Sequence, residues 1–265
     1  MRESGSNRPA IRRMTIPASP GALYVQGMPS QSFGIDLSHH QKSAFQPWDK
    51  YAGKVDFVIC RASYGGLLRD REVVSHVQHA RSIGAKVGLY QFFRPSQSVE
   101  QHWDQLRAVA DLVKLGEGDI VPALDIERDP LPAPGTDVSK AWAAACEELV
   151  GRIVDTFGDA LVYITQREFN LLGAPKWVLA RPLWVAHYTN AEKPLTPNDV
   201  VPTIWQHRVG PFDPKGRGGY DKARPELDHN RGLAPLPLIG GLPDAGLDEL
   251  RDEAVFTLPE TVIIA

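Results

Sequence analysis

Short strand-like runs that alternate with helical segments constrain the fold of this 265-residue chain more than any other feature. Five runs rich in β-branched and aromatic residues lie at 33–38, 56–63, 86–93, 119–127 and 160–166. Helical periodicity separates the later runs at 72–83, 98–115 and 139–157. Strands that alternate with helices favour parallel pairing through right-handed crossovers, so this half of the chain predicts an α/β fold.

The second half of the chain has strands but no clear helices. Residues 181–188, 202–208 and 226–232 are strand-like, and the connections between them are rich in Pro and Gly. A complete eight-fold βα barrel needs about 250 residues, and the eight runs here share only about 200. We therefore predict a closed, TIM-like barrel in which five βα units are followed by three strands with short connections.

The barrel is predicted to occupy residues 32–232, between an N-terminal arm at 1–31 and a C-terminal tail at 233–265. The tail carries a helical pattern at 244–254 and a strand-like run at 261–265. Arginines near the start are not followed by the apolar segment of a secretory signal, and no run of 18 apolar residues is present. These patterns predict a chain made in the cytoplasm without a signal peptide.

Charge and cysteine content exclude several classes of function. The formal net charge is −3 without a dense Lys/Arg cluster, which argues against nucleic acid or an anionic membrane as the main partner. Two cysteines, Cys60 in an apolar run and Cys146 in a helical pattern, are too few for a disulfide framework. We expect both to be buried free thiols.

The segment "PALDIE" (122–127) ends an apolar run with two acids, Asp125 and Glu127. Because strand side chains alternate between the two faces, both acids project from the same face. Closely spaced carboxylates drive their pKa values apart, so one can stay protonated beside an ionised neighbour. The spacing alone also fits a structural ion pair with an arginine such as Arg61 or Arg94.

Polar and aromatic residues follow the predicted strands at their carboxyl ends, where βα-barrel enzymes place their chemistry. The acids in this set are Asp36, Asp125, Glu127 and, at the start of the last strand, Asp228. Aromatic rings stack on the C–H faces of sugars, and carboxylates hydrogen-bond sugar hydroxyls. Glycoside cleavage needs a proton donor and negative charge near an oxocarbenium-like centre, so this mixture favours a glycosidase.

Six blocks occur in the order and spacing of one family. They are "GIDLSHHQ" (34–41), "ALDIE" (123–127), "YIT" (163–165), "LWVAHY" (183–188), "IWQH" (204–207) and "LDHN" (227–230). Over roughly residues 33–232 the chain resembles glycoside hydrolase family 25, the Chalaropsis-type lysozymes, which include many phage endolysins and bacterial autolysins. The family commonly has an aromatic residue where this chain has His40, a departure that concerns one stacking contact and leaves the acids in place.

The resemblance implies hydrolysis of the β-1,4 bond between N-acetylmuramic acid and N-acetylglucosamine in peptidoglycan, without a cofactor or metal. By motif position, Glu127 would be the general acid and Asp125 would orient the N-acetyl group or stabilise the developing cation. Asp36 and Asp228 would complete the acidic ring. The residues implied to line the sugar subsites are Tyr64, Tyr90, Tyr163, Trp184, Tyr188 and Gln206.

The D-x-E arrangement also resembles glycosidases in which the acetamide of the substrate is the nucleophile. We favour that route over direct attack by an enzyme carboxylate. The setting that fits best is a phage endolysin released by a holin, or a lysozyme carried in a virion. The expected partner is the peptidoglycan glycan strand, with no nucleic acid and no membrane insertion, and the two tails are candidates to dock to a virion or another assembly.

Two alternatives belong to other classes of function. The first is a barrel metallohydrolase built from Asp36, Asp228 and the histidines at the strand ends, His39, His40, His187 and His207. The chain has no H-x-H or H-E-x-x-H spacing, which disfavours it. The second is a non-catalytic glycan-binding or structural virion component that kept the acids, which the intact D-x-E motif disfavours.

Overall fold

A computed structural model describes residues 32–127, 134–222 and 226–240. The predicted arm at 1–31 lies outside the described residues, as do the helix predicted at 244–254 and the strand predicted at 261–265. These three assignments stay predictions.

The described chain contains ten strands, five α-helices and three short 3-10 turns. The strands are β1 (Ser32–Leu37), β2 (Phe57–Tyr64), β3 (Leu68–Arg69), β4 (Lys86–Phe92), β5 (Ala123–Asp125), β6 (Leu161–Tyr163), β7 (Leu183–Ala186), β8 (Ile204–Gly210), β9 (Gly219–Tyr220) and β10 (Leu227–Gly232). The helices are α1 (Trp48–Tyr51), α2 (Val73–Ser82), α3 (Val99–Val113), α4 (Asp137–Phe157) and α5 (Gln166–Leu171). The 3-10 turns are Ser43–Phe45, Val178–Ala180 and Pro197–Asp199.

Eight of these strands close into a barrel in the order β1, β2, β4, β5, β6, β7, β8 and β10, with β10 returning to β1. Neighbours pair in parallel from β1 to β8, whereas β10 runs antiparallel to both β8 and β1. A helix follows each of β1, β4, β5 and β6, and α2 follows the β2–β3 hairpin. The predicted barrel of five βα units and three further strands is therefore confirmed.

The fourth predicted strand is shorter than the apolar run that indicated it. Its ladder covers only Ala123–Asp125, because Ile120 instead forms an antiparallel bridge with Leu238. The backbone N–H of Val121 donates to the carbonyl of Pro237 at 2.9 Å. The first residues of this apolar run therefore do not extend the strand. They pair instead with the segment that follows the last barrel strand.

Residues 233–240, the described start of the predicted tail, cover the end of the barrel at which the parallel strands begin. Leu236 is buried in the apolar cluster of the interior, with Phe57, Leu161 and Ile204. Backbone hydrogen bonds join Ile239 to both Gly118 and Asp119. This end is therefore sealed, and the opposite end is the one left to hold a site.

Side chains alternate between the barrel interior and the outer layer of helices. On β5, Ala123 faces the interior, while Leu124 packs in the outer core together with Leu106 of α3 and Ile153 of α4. Gly34 on β1 has no room for a side chain, because an added Cβ would lie 2.3 Å from the ring of Phe57. At this point of the interior, the ring of Phe57 therefore packs directly against the backbone of β1.

Local signals also behave as the sequence predicts. Ser98 caps α3 through a reciprocal pair of hydrogen bonds with Gln101. Cys60 and Cys146 are buried free thiols, as expected. Among the described helices, none combines the length and hydrophobicity needed to span a membrane.

Candidate active site

The four predicted acids come together at the open end of the barrel. Asp36 is the penultimate residue of β1, Asp125 is the last residue of β5, and Glu127 follows two positions later. Asp228 is the second residue of β10, and because that strand is antiparallel its start lies at the same end. Asp36 and Asp228 are direct partners in the β1–β10 register.

Asp125 and Glu127 share one face of the chain, as their spacing predicts. Ile126 between them packs into the outer core, and its N–H donates to the carbonyl of Tyr163 at 2.9 Å. Asp125 is buried, whereas Glu127 is exposed at the rim. The Oδ1 atom of Asp125 has no hydrogen-bond partner within the described part of the chain. Asp125 therefore presents a buried acceptor at the base of the cleft.

The environment raises the pKa of both acids in the D-x-E motif. Burial raises the pKa of Asp125 well above its ordinary value, the negative charges of Glu127 and Asp36 raise it further, and Arg61 opposes them. Loss of hydration around the carboxyl, followed by the charges of Asp36 and Glu168, raises the pKa of Glu127 although the side chain reaches the rim. The pair therefore retains a proton at pH values where isolated carboxyls have lost theirs.

Asp36 lies at the centre of a hydrogen-bond network and acts electrostatically on both of these acids. Its Oδ2 atom accepts from Nε2 of Gln206 at 2.8 Å and from Nδ2 of Asn230 at 2.7 Å. Burial raises the pKa of Asp36 to about 6, and the two hydrogen bonds partly offset that rise. Burial and then the charges of Asp36 and Glu127 also raise the pKa of Asp228 well above its ordinary value.

Gln206 joins Asp36 to two tyrosines. Its Oε1 atom accepts from the hydroxyls of Tyr163 at 2.9 Å and Tyr188 at 2.7 Å. Tyr188 is 37% exposed and packs edge-on against Tyr220, so its ring forms part of the open wall of the cleft. A single amide thus sets the positions of one buried acid and one accessible ring.

The other predicted sugar-lining aromatics differ in their access to the cleft. Trp184 is only 2% exposed, donates from Nε1 to Oδ1 of Asn230 at 2.8 Å, and packs edge-on against Tyr163 and Tyr90. Tyr90 is 9% exposed. The low exposure of these rings favours support of the site over direct stacking on a sugar. Tyr64 is half-buried at the end of β2, with the guanidinium of Arg94 4.6 Å from its ring centroid.

Two polar residues join the site that sequence reasoning had not assigned to it. Asn230 lies in the "LDHN" block and, two positions after Asp228, faces the interior with it, so the period of the strand was the available signal. Arg61 on β2 appeared only as a candidate ion-pair partner for the D-x-E acids. Its Nε atom instead donates to Oδ2 of Asp70 at 2.9 Å in a buried ion pair, and its charge opposes the raised pKa values of Asp125 and Glu127.

The histidines considered for a metal site do not converge on the acids. His39 contacts Arg61 and Asp70, and Nδ1 of His187 accepts from the N–H of Leu195 at 2.9 Å. His207 alternates on β8 with the inward-facing Gln206 and so faces away from the acids. Across 32–127, 134–222 and 226–240, no three His, Cys, Asp or Glu residues are arranged to hold a metal ion.

Stability is expected to fall as pH rises through the titration of Asp36. Its pKa is raised from 3.8 to about 6, so the folded protein holds a proton that the unfolded chain releases first. The stabilisation is complete below pH 4 and is lost by about pH 6, a change on the order of 3 kcal/mol in the free energy of unfolding. Urea unfolding at pH 4 and pH 7 should show a smaller fall for Asp36→Asn than for wild type. Asp155→Asn, at an exposed position, is the control. An undiminished fall in Asp36→Asn would contradict the assignment.

Comparison with known sequences identifies the family. The sequence profile of glycosyl hydrolases family 25 matches residues 35–210, which is about two thirds of the chain. The chain belongs to this family. It is therefore a glycoside hydrolase, and the resemblance drawn from the six sequence blocks is confirmed.

Three of the proteins similar to this chain are the following. The uncharacterized Escherichia coli protein YegX is 28% identical over 207 residues, covering 74% of this chain and 68% of YegX. The bacterial lysozyme from Streptomyces coelicolor is 26% identical, with a TM-score of 0.62 over 77% of this chain and 92% of that one. The catalytic domain of endolysin ply40, from a bacteriophage of Listeria monocytogenes, shares the fold at 20% identity, with a TM-score of 0.56 over 77% of this chain and 94% of that one.

Proposed function

We propose that this family 25 enzyme is a peptidoglycan muramidase that cleaves the β-1,4 bond between N-acetylmuramic acid and N-acetylglucosamine. The observation that carries the proposal is the pairing of a buried acid, Asp125, with a rim acid, Glu127, both under the electrostatic influence of Asp36. Family membership and the similarity to a bacterial lysozyme support peptidoglycan as the substrate.

In the mechanism we propose, Glu127 protonates the glycosidic oxygen as the bond to C1 breaks. Its position at the rim lets it reach a polymer lying across the barrel, and its raised pKa keeps the proton available. The acetamide oxygen of the substrate attacks C1 and forms a cyclic oxazolinium. Water then opens that ring after giving a proton to Glu127, which restores the enzyme.

Asp125 is proposed to hold the acetamide in position for this attack. Its unpartnered, buried Oδ1 can accept the acetamide N–H, and its carboxyl would stabilise the positive charge that develops at C1. Asp36 and Asp228 line the same end of the barrel from β1 and β10. We propose that they orient water or the substrate amide beside the reacting sugar.

The sugar subsites are proposed to use the accessible rings of Tyr188 and Tyr64, while Tyr90, Tyr163 and Trp184 support them from below. Gln206, which positions both Tyr188 and Asp36, would couple substrate binding to the acids. The cell wall is the proposed place of action, reached as a phage endolysin after holin-type release or as a virion lysozyme. Lysis of producing cells that requires a co-expressed holin would support the endolysin setting.

Analysis of the new chain ends tests the bond that is cleaved. Purified peptidoglycan is digested with the enzyme, reduced with borohydride and examined by mass spectrometry. We expect muramitol ends, because the proposed cleavage frees the anomeric carbon of N-acetylmuramic acid. Glucosaminitol ends would support glycosidase activity but contradict the proposed choice of bond. An unchanged polymer would contradict both the glycosidase activity on peptidoglycan and the choice of bond.

A further inference from the structure

The outer wall formed by β7, β8 and β10 has a composition unlike the rest of the barrel exterior. No α-helix follows these strands within the described ranges, and loops around residues 189–191 and 216–218 cover them instead. Beside the apolar Val185 and Leu227, the outward side chains here include Trp205, His207 and Arg231, whereas the outer face of β5 carries Leu124. Because loops rather than α-helices cover this part of the barrel within the described ranges, polar side chains can be accommodated on its outer face.

A cavity of about 270 Å³ lies in this wall, on the opposite side of β8 from the interior-facing Gln206. Its lining includes Thr189, Asn190, Trp205, His207, Arg217 and Arg231. Gly218 closes one side and has no space for a side chain, because an added Cβ would lie 1.7 Å from the carbonyl oxygen of Thr189. The cavity wall is therefore tightly packed at this point.

The charge of the cavity is positive. Arg217 and Arg231 contribute two guanidinium groups, and no acidic residue belongs to the described lining. Arg231 lies 5.9 Å from the ring centroid of Trp205, and its Nη2 donates to the carbonyl of Gly216 at 3.4 Å. These contacts position the guanidinium of Arg231 without neutralising its charge. Loss of hydration on burial lowers the pKa of Arg231.

His207 supplies the observation that points to a ligand. It is 1% exposed, yet neither ring nitrogen has a hydrogen-bond partner within the described part of the chain. Burial, followed by the charges of Arg231, His229 and Arg208, lowers its pKa to about 3, so the ring is neutral and carries one N–H donor. Buried polar atoms without partners are uncommon because each costs free energy, and a bound group would satisfy this one.

We propose that this cavity binds a phosphate group. Two guanidinium groups supply charge and several donors, His207 supplies an N–H, and the Thr189 hydroxyl is free to donate because its oxygen accepts from the N–H of Ala191 at 3.1 Å. The volume suits a phosphate with a few attached atoms, such as free inorganic phosphate or one phosphodiester unit of a polyol-phosphate polymer. The site faces away from the acids and does not depend on their proposed roles.

Calorimetric titration of the full chain with inorganic phosphate tests this proposal, against sodium chloride at matched ionic strength. We expect saturable binding at one site per chain. Arg217→Gln and Arg231→Gln should each weaken it at least about tenfold, since each removes charge-assisted hydrogen bonds. Arg107→Gln, at an exposed position on α3, is the matched control and should bind like wild type.

Two further measurements keep the result interpretable. Arg217 is exposed, so Arg217→Gln is expected to fold and to keep wild-type glycosidase activity even if Arg231→Gln unfolds. Phosphate should also shift the ring ¹⁵N resonances of His207. Tighter binding of glycerophosphodiester than of phosphate would identify a polymer unit, and the reverse would identify the free ion. Heats no different from those of chloride, or equal binding by both arginine variants and wild type, would overturn the proposal.

Discussion

Replacing Glu127 by Gln is expected to lower kcat on peptidoglycan by about 10²–10⁴-fold while leaving the fold unchanged. The substituted amide cannot give a proton to the departing sugar oxygen, and a sugar alkoxide is a poor leaving group. Glu127 is exposed at the rim, so the substitution should not disturb the core. The rate is measured as new reducing ends released from purified peptidoglycan, with Glu147→Gln on the exposed side of α4 as the matched control.

A substrate with a better leaving group separates proton donation from other roles of Glu127. In an aryl glycoside whose phenol has a low pKa, the phenolate departs without protonation. Glu127→Gln should therefore lose much less activity on this substrate than on peptidoglycan. An equal loss on both substrates would show that Glu127 acts in some other way. Wild-type rates for Glu127→Gln on peptidoglycan would remove it from the mechanism, and a folded wild type that releases no ends at all would favour the non-catalytic alternative.

Replacing Asp125 by Asn is expected to lower kcat by about 10²–10³-fold, the loss typical of removing a preorganised electrostatic partner from a developing charge. Asn has the same shape, and the buried Oδ1 of Asp125 makes no hydrogen bond within the described residues that the substitution would break. The melting temperature of the variant should therefore stay close to that of wild type. Rates on peptidoglycan at several pH values provide the measurement.

A substrate that lacks the N-acetyl group beside the scissile bond distinguishes the proposed role of Asp125 from general electrostatic support. If Asp125 acts through the acetamide, wild type should be slow on this substrate and Asp125→Asn should lose little more. The two losses would then be strongly non-additive in a double-mutant cycle. Additive losses, or equal wild-type rates on both substrates, would rule out the acetamide as the nucleophile that Asp125 positions.

The elements of the barrel could be predicted from the sequence because their signals are local. The period-two spacing of Asp125 and Glu127 placed them on one face, and the absence of helical periodicity after residue 167 predicted the three final strands. Capping residues such as Ser98 also act within one turn of their helix. Each of these features is decided by residues close together in the chain.

Features that depend on distant pairing could not be predicted in this way. The sequence of residues 226–232 does not indicate whether β10 runs parallel or antiparallel to its neighbours. The antiparallel direction brings Asp228 beside Asp36. The unpartnered position of His207 likewise depends on loops that fold over the outside of β8. The burial of Trp184 required the interior to be assembled, since an aromatic residue on a strand fits a core as well as a sugar subsite.

The closing pairing between β1 and β10 has a consequence for synthesis of the enzyme. The two amides that hold Asp36 lie 170 and 194 residues further along the chain, in Gln206 and Asn230. While the ribosome is still making the second half, one edge of β1 stays open and the carboxylate at its end lacks both amides. Contacts of such long range also make ring closure a late and slow step of folding. A nascent chain therefore carries the D-x-E motif well before it can assemble the complete acidic cleft.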